Sequence, residues 1–424
     1  MKKVLILGAN RATVTLVQKA KEMGLYTIVT DYNPNAYAKR YADQAENVDC
    51  MDIDALVALG RRENVDGVLV GVAEILLPIY CKVCNRLGLP CYSTLDVFEI
   101  MMRKDLFKQK CREYNVPTIR EYDKNKADEI HFPVIIKPVD NCGSKGIRVC
   151  MTKEHFKSDI DFALSFSESK KCLVEEYMQG DEVVAYYVVQ DGNPIFVAMC
   201  DRYTYKPSGD FVQLPTCYVY PSRHIDSFMR HTDPAVKDML RGIGVKNCSL
   251  FLQCFVDSDG IVRIYEPGHR LTGCQEHMAL SVVSGVDFKE CFINFALTGK
   301  VSESDLEKVC NPRPDKFACK LSPLVKTGKI AHIGGLDEIA RIPEVVAIAP
   351  SYDDGDTVSG EGTLAQIISR FFIVCDSIEG LGAVIDRIQS LLTVTDENGE
   401  EMMMATFDTS LLPQVYSHKD ECIC

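Results

Sequence analysis

The sequence predicts a multidomain α/β and α+β protein that opens with a doubly wound parallel sheet. Three observations carry this expectation. At 424 residues the chain exceeds one ordinary core, since typical domains run to about 100–200 residues. Its N-terminal stretch alternates short apolar runs with amphipathic ones, the rhythm of strands joined by crossover helices. Glycine-punctuated β-rich runs follow, and the pattern changes again past residue 300. The expected units are a parallel sheet over 1–93, a two-lobed α+β domain over 94–300 and a closing α/β domain over 301–424.

Taken in order, VLIL is a first strand, followed by a helix from about Thr13 to Met23, the strand YTIVTD, a helix over Ile53–Arg62 and the strand DGVLVG. Gly8-Ala9-Asn10 sits where a dinucleotide loop follows a first strand, but GxGxxG is absent; the turn reads as structural or substrate-facing, and an NAD site is disfavoured. The stretch Ser93–Arg120 reads as helical, closing at Val116-Pro117, because proline ends helices. FPVIIKPV, GIRVC, CLVEEYM and DEVVAYYVV are strands, and so is NPIFVAMCDRYT. LFLQCFVD and GIVRIYEP form a hairpin about Asp257-Ser258-Asp259-Gly260. GKIAHIGGLDEIARIPEVVAIAPS and RFFIVCDSIEGLGAVIDRIQSLLTV give the closing domain, with no catalytic cluster.

Composition narrows the function classes. An apolar share of 46% with 25% charged residues describes a folded protein, and a net charge of −13 leaves no generally basic face for nucleic acid or an anionic membrane. A nucleotide needs only a local cationic site. No apolar run approaches the ~18 residues of a spanning helix, and MKKVLILGAN is too short in its apolar part for a signal peptide, so the cytoplasm is the expected location. The 19 cysteines read as reduced, mostly buried thiols. Cys81 and Cys84 have CxxC spacing but no second pair to complete a zinc site, and the terminal Cys422-Ile423-Cys424 reads as a frayed tail. The oligomeric state is not fixed by sequence, a homodimer being one option.

Chemistry concentrates in three segments. In FPVIIKPVDNCGSKGIRV, Lys137 ends a buried strand beside a Gly/Ser-rich loop whose N–H groups suit phosphate oxygens, and Gly143 and Gly146 let that loop close over a nucleotide. In LVEEYMQGDE a strand turns at a glycine, so that backbone after Glu175 can meet an adenine edge and Glu182 can accept from ribose hydroxyls; an acidic solvated edge is the alternative. On the hairpin, Gln253 and Glu266 lie on paired strands, where oxygen ligands suit Mg²⁺, and Arg270 follows with a permanent charge for a transferring phosphoryl group.

The ordered motifs IIKPVDNCGSKG, VEEYMQGDE and LQCFVDSDGIVRIYEPGHR resemble the ATP-grasp superfamily over about Ser93 to Lys300, and the flanks resemble its carbamoyl-phosphate-synthetase, biotin-carboxylase and L-amino-acid-ligase branch. The resemblance implies a two-lobed ATP-grasp domain with ATP and Mg²⁺ or Mn²⁺ as cofactors. It implies that Lys104 and Lys137 contact the phosphates, that Glu175 and the backbone of Tyr177 and Met178 meet adenine, and that Glu182 meets ribose. Ser144 and Lys145 fall in the phosphate-covering loop, with Lys145 and Arg270 as catalytic candidates, and Gln253 and Glu266 are the implied metal ligands.

One departure stands out. The family pattern E-x-N-x-R reads Glu266-Pro267-Gly268-His269-Arg270 here, so an asparagine ligand is missing, which implies a modified metal site; His269 is a poor ligand for a hard ion. Glu74, Arg202, Tyr203, His269 and His277 are candidates to face substrate, Arg202 and Arg270 as carboxylate forks. The expected activity is ATP-dependent joining of a small carboxylate, activated as an acyl phosphate, to an amine, with amino acids as a candidate class for both. The alternatives are a carboxylase or carbamoyl-phosphate-synthetase-like enzyme using bicarbonate, and a nucleotide-binding sensor without turnover.

Overall fold

Strands β1 (Lys3–Leu7), β2 (Tyr26–Thr30), β3 (Gln44–Glu46) and β4 (Gly67–Val70) form a parallel sheet in the order β3-β2-β1-β4, in a computed structural model that describes residues 1–141, 145–205 and 213–412. Val4 to Leu7 are fully buried because helices cover both faces, which is why these strands are continuously apolar. Helix α1 (Val14–Glu22) and helix α2 (Ile53–Glu63) make crossovers and helix α3 (Leu77–Leu87) follows β4, α2 being capped by the Asp52 side chain on the Ala55 amide. The turn after β1 is held by Asn10 accepting from the Thr13 amide at 3.1 Å. Strand order reverses between β1 and β4, so the carboxyl ends of those two strands open a crevice of the kind that receives ligands, and Glu74 lies just past the end of β4.

The helix Phe288–Thr298 belongs to this N-terminal layer in space although it is remote in sequence. A Cβ added at Gly67 on β4 would come within 2.7 Å of the Ala296 carbonyl, and Lys19 on α1 pairs with Asp287 at 2.9 Å.

The expected single helical stretch after Ser93 is two helices, α4 (Leu95–Met102) and α5 (Lys104–Glu113). Arg103 takes an extended conformation between them, its guanidinium bridging Glu99 at 3.2 Å and Asp105 at 2.7 Å. A small lobe follows: β5 (Val134–Pro138) lies between β6 (Arg148–Cys150) and β7 (Cys172–Glu176), all antiparallel, with helix α6 (Lys153–Ser165) over a core of Val134, Ile136, Phe156 and Val174.

The large lobe is an eight-stranded antiparallel sheet. Its strands are β8 (Glu182–Gln190), β9 (Asn193–Tyr205), β10 (Leu214–Tyr220), β11 (Cys248–Val256), β12 (Val262–Gly268), β13 (Phe317–Leu321), β14 (Val345–Pro350) and β15 (Ser369–Cys375), in the order β12-β11-β8-β9-β10-β13-β15-β14. The sheet runs across position 300, so the expected third unit shares its hydrogen-bonded backbone with the second while adding its own core around Phe371, Ile385 and Ile388. The β11–β12 hairpin turns as anticipated, Asp257 Oδ1 accepting from the Asp259 and Ile261 amides at 2.9 Å each. Cys81 and Cys84 are buried in α3, and among the described residues no helix is long and apolar enough to cross a membrane. Ser144 and the terminal Cys422–Cys424 lie outside the described residues.

Candidate active site

The cleft between the two lobes is built from strand register. On β5 and β7, Ile135 faces Glu175 and Lys137 faces Leu173, and because alternate residues share a face, Lys137 and Glu175 project together. Lys137 Nζ lies 2.6 Å from Glu175 Oε2, while Lys108 on α5 brings its Nζ to 3.0 Å from Oε1. All three groups are buried. Burial alone would raise the Glu175 carboxyl, but Lys137 and Lys108 outweigh it and hold it below the usual carboxylate range. Lys137 is pushed down by burial, with the like charge of Lys108 adding to the effect and Glu175 opposing it.

One helical turn before Lys108, Lys104 reaches the other side of the cleft. Its Nζ donates to the Asn141 carbonyl at 2.6 Å and pairs with Glu266 Oε1 at 3.2 Å. Glu266 stands opposite Gln253 in the hairpin register, so the two expected metal ligands share a face. Tyr265 Oη donates to Gln253 Oε1 at 2.8 Å, and Lys137 Nζ sits 5.7 Å from the centre of the Tyr265 ring. Arg202 pairs with Glu182 and donates to Tyr265 Oη at 3.4 Å.

At the far end Arg270 pairs with Glu74 Oε2 at 3.0 Å and donates to the Leu271 carbonyl at 3.1 Å. This joins the crevice of the N-terminal sheet to the hairpin end. Burial raises the Glu74 carboxyl above its ordinary range; Arg270 opposes this and Glu266 adds to it. Lys104, Glu266, Glu74 and Arg270 therefore act on one another electrostatically in one place.

The donor set suits a hard divalent cation. Gln253 and Glu266 offer oxygens from facing positions, and Mg²⁺ takes few protein ligands, completing its shell with phosphate and water. Gly268 has a steric reason: it pairs with Phe251 across the hairpin, and a Cβ there would overlap the Phe251 ring. The family's asparagine cannot be accommodated while Phe251 stays in place. Gly180 in the hinge is fixed in the same way, its Cβ position being occupied by the Val256 carbonyl.

Several expected positions are placed differently. Glu175 does not present a carboxylate to an adenine edge, because each of its oxygens faces a lysine ammonium. The Tyr177 amide donates to the Pro133 carbonyl at 3.3 Å, so that donor is already engaged. Lys145 is exposed at the end of its loop. Arg202 is committed to Glu182 and is no open carboxylate fork, and Tyr203 meets Phe407 edge to face with ring centres 5.0 Å apart. His269 turns into the core, its Nε2 3.1 Å from Cys248 Sγ and its ring against Tyr92 and Phe98. His277 is also buried.

Three groups were missed from the sequence. Lys108 had a readable signal, its i, i+4 spacing from Lys104. Tyr265 had one too, next to Glu266 on a strand. The third, a fully buried pair of Glu276 Oε1 with Lys320 Nζ at 3.0 Å, joins the loop after β12 to β13 and had none.

The two buried imidazoles give a pH dependence. Burial pushes His269 and His277 down to about 3. In the unfolded chain each takes up a proton near pH 6.5, so below that pH the unfolded state binds more protons and folding loses stability as pH falls toward 3. The melting temperature should fall progressively as pH drops from about 6.5 toward 3. A flat profile there would mean that both rings are hydrated.

A family model described as the ATP-grasp domain matches residues 130–277, which hold β5, β7, the hinge and the whole hairpin. The chain is 25% identical over 265 residues to formate-dependent phosphoribosylglycinamide formyltransferase of Wolinella succinogenes, covering 59% of this chain and 66% of that protein. The fold is shared with the L-amino acid ligase of Bacillus licheniformis, at a TM-score of 0.75 and 17% identity over 94% of this chain and 99% of that one. It is shared as well with the biotin carboxylase domain of Hydrogenobacter thermophilus 2-oxoglutarate carboxylase, solved with MgADP and bicarbonate, at 0.73 and 16% over 99% and 94%. Residues 130–277 are thus an ATP-grasp domain, set in a fold that the chain shares with both solved structures over nearly its whole length.

Proposed function

We propose that the chain is an ATP-dependent carboxylate–amine ligase, forming an amide or peptide bond through an acyl phosphate with release of ADP and phosphate. The observation that carries this reading is the assembly of Lys104, Glu266, Glu74 and Arg270 at one end of the cleft, beside the buried lysines of the other. Lys104 and Lys137 hold the ATP phosphates, with Ser144 and Lys145 covering them. The Tyr177 carbonyl and Met178 backbone take adenine, and Glu182, held by Arg202, takes ribose. Gln253 and Glu266 hold Mg²⁺ or Mn²⁺, which supplies Lewis-acid charge at the phosphate oxygens when bound. Arg270 stabilises charge on the phosphoryl group in transfer, and its Glu74 partner orients it. Catalysis of this kind is positioning and charge stabilisation, so it needs no triad.

The substrates are a small carboxylate and an amine, with a cytoplasmic location and a homodimer as the candidate assembly in the same reading. A bicarbonate-using carboxylase is the second reading, favoured by the near-equal likeness to the biotin carboxylase domain. The test measures ADP and phosphate release over paired amino acids and other carboxylate–amine pairs, with and without bicarbonate, and identifies products by mass spectrometry. ADP release that needs both a carboxylate and an amine supports the ligase. Release that follows bicarbonate alone overturns it.

A further inference from the structure

The lysines of the cleft are not matched evenly by carboxylates. Lys104 and Glu266 pair one to one, whereas Lys108 and Lys137 share the single carboxylate of Glu175 at 3.0 and 2.6 Å. The side chains of Lys108 and Glu175 are 0% exposed and that of Lys137 is 5%, so this trio holds a formal charge of +1 away from bulk water. A buried charge without a counter-charge is costly, and the cost is relieved when an anion arrives.

We propose that Lys108 sets the charge of the nucleotide cleft: by neutralising Glu175 it leaves the charge of Lys137 for a polyphosphate anion. Without Lys108, Glu175 and Lys137 form a closed neutral pair at 2.6 Å, and the phosphates lose a cation although Lys137 is still present. Lys108 does this from behind the phosphate site. Its Nζ, held 3.4 Å from the Ile119 carbonyl, lies on the opposite oxygen of Glu175 from Lys137. It is therefore a positioning residue that acts through Glu175. The downward push that Lys108 exerts on the Lys137 ammonium agrees with two cations competing for one carboxylate. The inference rests on Lys137 being a phosphate ligand.

Charge arithmetic supplies the test, read by isothermal titration calorimetry of the full chain with MgATP, MgADP and adenosine. Lys108→Met takes the trio from +1 to 0 and should weaken MgATP and MgADP about ten- to a hundredfold, the range of one charge-assisted phosphate contact, while leaving adenosine unchanged. The double variant Lys108→Met, Glu175→Gln restores +1 and should recover nucleotide affinity to within about threefold of the parent. Unchanged affinity in Lys108→Met overturns the proposal, and so does equal weakening of adenosine, which would mark a merely structural residue. If Lys108→Met fails to fold, the double variant decides by itself: retained MgATP affinity supports the proposal, and a loss of tenfold or more overturns it. Lys137→Ala separates the two levels. If it binds MgATP as the parent does, the phosphate reading of Lys137 fails; if it weakens MgATP while Lys108→Met does not, only the role of Lys108 fails.

Discussion

Glu266→Gln and Arg270→Met should each lower turnover by about a hundredfold or more, because losing one stabiliser of transition-state charge costs about 2.7–4 kcal/mol. Glu266 is the carboxylate that faces Gln253 across the hairpin and meets Lys104, and Arg270 is the guanidinium that meets Glu74 at 3.0 Å. His269 lies between them in sequence but not in the cleft, since its Nε2 contacts Cys248 and its ring is packed on Tyr92. His269→Ala should therefore act on stability: emptying a buried ring site costs roughly 2–5 kcal/mol, while turnover per folded molecule stays near that of the parent. Initial rates of ADP formation, normalised to the folded fraction from circular dichroism, separate the two effects. Should folded His269→Ala lose ADP formation while Glu266→Gln keeps it, the metal assignment on the hairpin is wrong.

Lys320→Ala should destabilise the fold by about 3–5 kcal/mol, the cost of leaving one member of a buried ion pair without its partner. The stranded group is the Glu276 carboxylate, 3% exposed and held otherwise by the Thr272 hydroxyl. Lys320 is itself fully buried, with its ammonium 3.5 Å from the centre of the Tyr218 ring. Glu276→Gln combined with Lys320→Met removes both charges at similar volume and should recover most of the loss. Urea unfolding midpoints measure this, and a single variant as stable as the parent would mean that water reaches the pair. The pair also has a pH signature. Burial would raise Glu276, but Lys320 outweighs it and holds the carboxyl below the ordinary value. Its contribution is therefore present above the unfolded pKa of about 4.3 and is lost as pH falls through the lower folded value.

What was legible in the sequence was local. Strand and helix periods gave the N-terminal layer, because the alternation of VLIL, YTIVTD and DGVLVG with amphipathic runs reports burial on both faces of a parallel sheet. The turn Asp257–Gly260 gave the hairpin, but the register it starts would set Gln253 opposite Tyr265, and only a bulge past Cys254 brings Glu266 there instead. Lys137 was readable as the end of an apolar strand before a glycine loop.

The misreadings were of partners. Arg202 looked available for a carboxylate until strand pairing between β8 and β9 set it opposite Glu182. His269 looked like a substrate group only because it follows Glu266 by three positions, and the strand's end turns it into the core.

By itself, then, the sequence determined the element types, the hairpin and the residue types at the nucleotide cleft, since each follows from periodicity, turn chemistry and register within a short span. Tertiary structure alone decided which charge meets which. Glu175 lies between Lys108 and Lys137, Arg270 reaches Glu74 from another layer, Lys320 crosses to Glu276, and Phe251 fills the space at Gly268 where a ligand side chain would stand. Such pairings depend on distances between segments far apart along the chain. Electrostatic and steric energies depend on those distances, and no local pattern encodes them.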